Sequence, residues 1–269
     1  KRIICRSAEE ACDLLSDVRL HAAMSPQSRL VCDIETRHGQ TVCIGFASDP
    51  STAFTIPLRT ATGSGAYFSL SDEIRVVQEL RQTLLHPQVS LCGQNFLYDA
   101  QYIARWWGVL PKIAYDTLIA QSVLFPGVPK ALDFLASMYC DHYVYWKDDS
   151  KDWNPSLGEE QLWLYNCDDC LYTYEIAEKT QALLSGANLQ KCFHWQMRIT
   201  NAVLRMMIEG VAVDETARQS MDAALLIEEE KLDGYFKRLL GHPINPKSPK
   251  QLQNLFYADF GMQPILNKD

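Results

Sequence analysis

The chain has 269 residues, 47% of them hydrophobic and 22% charged, a balance that fits a folded protein with room for one large domain or two ordinary ones. No apolar run approaches the roughly 18 residues that span a bilayer and no signal-peptide pattern opens the chain, so a membrane role is not expected. A net charge of −8 argues mildly against a nucleic-acid partner, although cations held by a carboxylate cluster would reverse the field locally.

In chain order, Ser7-Ala8-Glu9-Glu10 reads as a capping box, predicting a helix to about His21. Leu30–Ile34 is a strand by its β-branched content. Thr41–Ser48 and Thr52–Leu58 follow with alternating or apolar character, predicting three antiparallel strands. Gly63-Ser64-Gly65 marks a loop, and Ser71 is expected to cap a helix reaching Leu85. Val89–Cys92 reads as a short buried strand that Gly93 breaks. From Phe96 the pattern turns mainly helical, over about 96–107, 117–124, 130–140 and 158–184, interrupted by Pro126, Pro129 and Pro155. A domain boundary is expected near residue 187. The remainder is helical, with a break at Gly210, a cap at Asp214, and Ser248-Pro249 opening the last helix. The fold class is therefore α/β followed by a mainly helical segment. The chain opens on Lys1 rather than methionine and stops at Asp269 just after a helix-like stretch, so it reads as a piece of a longer protein.

Nine cysteines, an odd number scattered through strand and helix patterns, read as buried thiols of an intracellular, reducing compartment rather than as a disulfide framework. Cys167 and Cys170 form a single C-x-x-C without the second pair that a zinc site would need. Between Lys231 and Lys250, five basic residues face one acid, Asp233, marking a candidate phosphate-contacting surface.

The chemistry-bearing pattern is three acidic motifs: Asp33-Ile34-Glu35, Asn95-Phe96-Leu97-Tyr98-Asp99 and Tyr165-Asn166-Cys167-Asp168-Asp169. An Asp-x-Glu triplet alone arises about once by chance in a chain of this size; the order and setting of the three carry the signal. Asp33 and Glu35 are two apart on a strand and share one face. Asp99 falls in the first turn of a helix, where a carboxylate is also favoured by the helix dipole. Tyr165 and Asp169 are four apart on a helix and share its face. Four carboxylates converging on one sheet would repel one another unless cations bound there. Hard oxygen ligands suit Mg²⁺ or Mn²⁺ and disfavour zinc.

In order and kind, D-x-E, N-x-x-x-D and Y-x-x-x-D resemble the three motifs of the DEDD 3′–5′ exonucleases, and Asp116-Thr117 is similar to a helix start found between the second and third. The resemblance covers about residues 28–185, and tyrosine rather than histidine at 165 assigns the tyrosine subclass. It implies a ribonuclease H-like mixed sheet flanked by helices, and a pair of divalent ions. Asp33 would bridge the ions, Glu35 and Asp169 would complete the first site, and Asp99 would support the second. Tyr165 would orient the attacking water. Four supporting candidates follow: Asn95 on the terminal nucleotide, Thr36 on its sugar, Trp146 stacked on an unpaired base or else covering the core, and Lys130 on a phosphate or else simply solvated.

Resemblance continues past the boundary. Ile199–Val213, with the run Arg205–Asp214, is similar to the segment entering the polymerase domain of family A DNA polymerases, and Asn245–Gln253 to the thumb tip there. No counterpart of that family's palm carboxylates is found. The implied activity is proofreading, acting on a single-stranded DNA 3′ end. Lys247 and Lys250 would grip the primer–template duplex, and the setting would be the cytoplasm of a bacterium or of a phage-infected host. The rivals are a ribonuclease D-like RNA exonuclease and a non-catalytic nucleic-acid-binding module.

Overall fold

A six-stranded mixed sheet organises the first 210 residues, and one end of it collects the acidic motifs. The computed structural model describes residues 1–25, 28–60, 65–146 and 160–263. The strands are β1 (Arg2–Ile4), β2 (Arg29–Arg37), β3 (Gln40–Ala47), β4 (Ala53–Pro57), β5 (Ser90–Gly93) and β6 (Ile113–Asp116), in spatial order β1-β4-β3-β2-β5-β6. The β2–β3 and β3–β4 pairs are antiparallel; β1 beside β4, β5 beside β2 and β6 beside β5 are parallel. This is the mixed sheet the resemblance implies. Gly63 and Ser64 of the expected loop, and the interrupting Pro155, lie outside the described residues.

The helices are α1 (Ala8–Met24), α2 (Leu70–Leu84), α3 (Leu97–Trp107), α4 (Thr117–Leu124), α5 (Leu132–Tyr139), α6 (Glu160–Gly186), α7 (Gln190–Glu209), α8 (Glu215–Leu240) and α9 (Pro249–Gln253). Ser7 caps α1 by accepting from the Glu10 amide, but Glu10 reaches back to the Arg6 amide, one residue before the cap. Ser69, not Ser71, caps α2, accepting from the Asp72 amide, which places the helix start one residue before Ser71. Leu15 of α1, Leu80 of α2 and Cys170 and Ala177 of α6 join Leu30, Ile44, Phe46 and Ile56 of the sheet in one buried core.

Strands β1 and β6 correct the sequence reading, which placed no strand at Arg2–Ile4 and only helices after Phe96. Both are edge strands of three or four residues, too short to show alternation. The last predicted helix also differs: α9 stops at Gln253 and continues as a π-helical turn over Asn254–Asp259.

The chain divides into compact units after Gly210, not near residue 187. Helix α7 belongs to the first unit because it buries Phe193, Met197 and Leu204 in the same core as the sheet. Asn201 completes the seam: its Oδ1 accepts from the Ile113 amide (3.0 Å) and its Nδ2 donates to the Ile113 carbonyl (2.9 Å), pairing with edge strand β6 as a further strand would. The second unit holds α8 and α9, each opened by a side-chain cap, Asp214 and Ser248. No helix among the described residues is long and apolar enough to cross a membrane.

Candidate active site

The site forms where β2 outruns its parallel neighbour. Pairing with β5 covers only Arg29 to Val31, so from Asp33 onward the strand partner of β2 is β3 alone. The exposed edge is met by a side chain instead: the Ile34 amide donates to Asp99 Oδ1 (2.9 Å), from the first turn of α3. Asp99 thus replaces a sheet partner and is locked against the strand that carries Asp33 and Glu35.

Helix α6 crosses the face of β2 that bears those two residues. Carboxylate oxygens of Asp33, Glu35 and Asp169 all lie within 4.8 Å of one another. Asn166, one turn before Asp169, donates from Nδ2 to Asp33 Oδ2 (2.8 Å) and to the Asp33 carbonyl (3.3 Å). Its Oδ1 accepts from the Thr55 hydroxyl (3.0 Å). So close an approach requires glycine beneath it. A Cβ on Gly45 would fall 2.2 Å from Asn166 Oδ1 and 3.0 Å from Cys170 Sγ.

Asp169 is fixed from its other side by the Trp146 indole, whose N–H donates to Oδ1 (2.5 Å). Trp146 is buried and stacks on Tyr172 at 4.1 Å, in a cluster with Leu132, Leu135, Ile176 and Tyr165. Of the two expectations for Trp146, the structure matches the second: the ring covers a core, and it also holds a carboxylate. Tyr165 is likewise buried. The Lys130 ammonium donates to the carbonyls of Pro126 (3.2 Å) and Val128 (3.4 Å), closing its own loop.

The start of α3 is set by Asp116, at the end of β6. Its Oδ1 accepts from the amides of Asn95 (3.1 Å) and Leu118 (2.9 Å), and its Oδ2 from that of Phe96 (2.8 Å). One buried carboxylate therefore caps α4 and anchors the turn that delivers Asp99. Asn95 is exposed and has φ +55, a left-handed conformation that asparagine tolerates better than most residues. Thr36 Oγ1 lies 2.8 Å from the hydroxyl of Tyr98, which is half exposed at the mouth of the site. Lys247 and Lys250 are exposed in the second unit, around the turn that opens α9.

Burial, and after it the charge of Asp33, raise the Asp99 pKa well above the ordinary carboxylate range. Burial also lifts Asp116, against the pull of the four amides that donate to it. The same desolvation raises the buried thiols. Cys170 is raised well above its usual value by burial and then by Asp33, and Cys92 is pushed up to about 12. All nine cysteines are free, and the C-x-x-C pair is packed into the core. Clustered carboxylate oxygens, with the Asp99 charge disfavoured, make a donor set that suits hard divalent cations.

The family model described as 3′–5′ exonuclease, of the DNA polymerase A type, matches residues 13–185. The chain belongs to this 3′–5′ exonuclease family. A curated relative, DNA polymerase DpoZ of Vibrio phage phiVC8, is 23% identical over 250 residues, covering 81% of the exonuclease chain and 39% of the polymerase. Among solved structures, the POL domain of Pol1 from M. smegmatis, in complex with DNA primer-template and dNTP, superposes with TM-score 0.61. It is 16% identical over 95% of the exonuclease chain and 40% of its own. RNase D of Escherichia coli, described as an exoribonuclease involved in structured RNA processing, gives TM-score 0.52 at 17% identity over 79% and 52% of the two chains. The exonuclease chain thus spans about two fifths of the polymerase relative's length.

Of the residues named from sequence, the structure brings Asp33, Glu35, Asp99 and Asp169 together, with Tyr165 on the same helix as Asp169. The reading missed the supports: Asn166, Gly45 and the indole N–H of Trp146. Gly45 carried a signal, since glycine inside an apolar strand marks close approach of another element. Asn166, inside the third motif, was the other legible clue.

Proposed function

We propose that this exonuclease removes nucleotides from DNA 3′ ends and proofreads for a family A DNA polymerase. The observation that carries the reading is the convergence of Asp33, Glu35 and Asp169 within 4.8 Å at the edge position closed by Asp99, in a chain matched to the 3′–5′ exonuclease family. Asp33, Glu35 and Asp169 would hold divalent ions, and Asp99 would support a second position. When bound, such ions supply a nucleophilic hydroxide at neutral pH and neutralise charge on the scissile phosphate and the departing 3′ oxygen.

The chain's own groups set the geometry. Asn166 fixes the Asp33 carboxylate and Trp146 fixes that of Asp169, so neither must be ordered when substrate arrives. Tyr165 orients the attacking water through its hydroxyl. Thr36 and Asn95, at the mouth, position the terminal nucleotide. No sequence readout is needed: frayed, mismatched ends supply single strand more often than paired ones. In the second unit, Lys247 and Lys250 contact duplex phosphates.

DNA is preferred as substrate because the curated relative is a DNA polymerase, whereas the likeness to ribonuclease D lies in the fold. The test is nucleotide release from end-labelled DNA and RNA single strands of one sequence, with Mg²⁺. Release of 5′-nucleotides from the DNA 3′ end, several-fold faster than from RNA, is expected. Activity that survives chelation, or that starts from the 5′ end, overturns the reading; preference for RNA selects the ribonuclease D-like alternative.

A further inference from the structure

A cavity of about 980 Å³ lies away from the carboxylates. It opens at the other end of the sheet, against the first residues of β2, β5 and β6, namely Arg29, Ser90 and Ile113. Helix α6 spans the distance: Asp169 belongs to the active site and Ser185 to the cavity wall, sixteen residues or about 24 Å apart along the axis. The mechanism uses none of the cavity's residues.

Its charge is unlike that of the rest of the chain. Asp and Glu outnumber Lys and Arg overall, 33 to 25, yet the lining holds Arg29, Lys112, Arg198 and Arg205 and no acid. On α7, His194, Arg198, Asn201 and Arg205 fall at i, i+4, i+7 and i+11, one stripe facing the cavity. Asn201 holds that stripe in place through its paired bonds to Ile113. At the floor, the Arg29 guanidinium sits over the rings of Tyr115 (5.3 Å) and Tyr174 (5.5 Å) and is bonded to Gln181, so its charge is ordered before any ligand arrives.

We propose that this groove is a second nucleic-acid site, binding the phosphodiester backbone of a strand at a distance from the catalytic end. A strand fits better than a free nucleotide because the cations are distributed: Arg198 and Arg205 stand two helical turns, about 10.5 Å, apart. The volume is also at the top of the usual small-molecule range. The groove would hold the body of a polynucleotide and raise affinity without touching the scissile bond. The inference builds on the nucleic-acid reading of the active site but concerns different residues.

The test compares the full chain with the Lys112→Ser/Arg198→Ser/Arg205→Ser variant, all three side chains being exposed. Affinity for a labelled single DNA strand of about twenty nucleotides, measured in chelator by anisotropy at several salt concentrations, should fall about tenfold or more. The slope of log affinity against log salt should shrink by about 2, at about 0.7 per lost phosphate contact. Hydrolysis of a strand of about three nucleotides, too short to reach the groove, should stay within twofold. The charge-retaining Arg198→Lys/Arg205→Lys variant should keep wild-type affinity, separating lost charge from lost fold. Unchanged affinity and slope in the serine variant, or equal loss in the lysine variant, overturns the proposal. So does competition by deoxyadenosine monophosphate at matched phosphate concentration, which would mark a small-anion site. Groove-dependent binding alongside failure of the wild type to hydrolyse the short strand would overturn the exonuclease reading alone.

Discussion

Asp99 does two jobs that conflict in the absence of cations. Its Oδ1 completes the hydrogen bonding of β2, which requires it to be buried beside Asp33, and that burial disfavours its charge. Because its folded pKa is raised, the folded state binds the proton more tightly than the unfolded chain does. Its contribution to stability is therefore fully present below the ordinary carboxylate pKa and is lost as pH rises through the raised value. Asp99→Asn keeps the oxygen that accepts from Ile34 and removes the charge. In chelator near neutral pH it should raise the melting temperature by a few degrees, on the order of 1 kcal/mol, and flatten its fall with pH. It should also reduce the further rise that Mn²⁺ gives the wild type. Thermal scans in chelator and in Mn²⁺ check both; an identical pH slope for the two proteins would show that Asp99 is not the strained group. Asn166 acts the other way, fixing a charge rather than opposing one. Asn166→Ala should lower turnover about 10- to 100-fold, the effect expected of a group that orients a ligand, and metal titration of the variant should show weakened binding.

At the scale of elements, the site depends on how closely α6 lies on β3. Gly45→Ala drives a methyl group into Asn166 and Cys170, and overpacking of this kind costs about 1–3 kcal/mol. The helix must shift, carrying Tyr165 and Asp169 with it. Loss of activity should therefore exceed what the change in melting temperature alone explains, and a variant of full activity would show that the contact is not needed. The strands β2 to β5 were legible because each is an apolar or β-branched run bounded by turn residues. Strands β1 and β6 were not, because short edge strands owe their conformation to the partner already in place. The acidic motifs were legible as a set, since strand and helix spacing alone puts each pair on one face. What escaped was each contact made across the fold. Trp146 finds Asp169 through a loop, and the exposed-looking Lys130 folds onto its own turn. Asn95 has a backbone reason for being asparagine that no motif states, its positive φ.

For the whole molecule, a break in helix is not a break in domain. Helix α6 ends at Gly186 and Asn188 follows at φ +59, close to the boundary expected near residue 187. Helix α7 then turns back onto the sheet, and the compact unit closes only at Gly210. A chain ending at residue 210 should fold and hydrolyse short single strands at a rate near that of the full chain. One ending at residue 187 loses the burial of Phe193, Met197 and Leu204, about 1.5–3 kcal/mol for each large apolar side chain, and should be several kcal/mol less stable in urea unfolding. Equal stability of the two truncations would restore the earlier boundary.

If Asp33, at the junction of β2, α3 and α6, organises divalent ions for hydrolysis at a DNA 3′ end, its removal must cost both ion binding and rate. The most direct measurement pairs Mn²⁺ binding by calorimetry with single-turnover hydrolysis, for the wild type and Asp33→Ala. Mn²⁺ should bind the wild type and bind the variant much more weakly, with a fall in rate of about a thousandfold or more, since the ions supply several kcal/mol of transition-state stabilisation. A folded Asp33→Ala variant that retained Mn²⁺ affinity or wild-type hydrolysis would contradict that role.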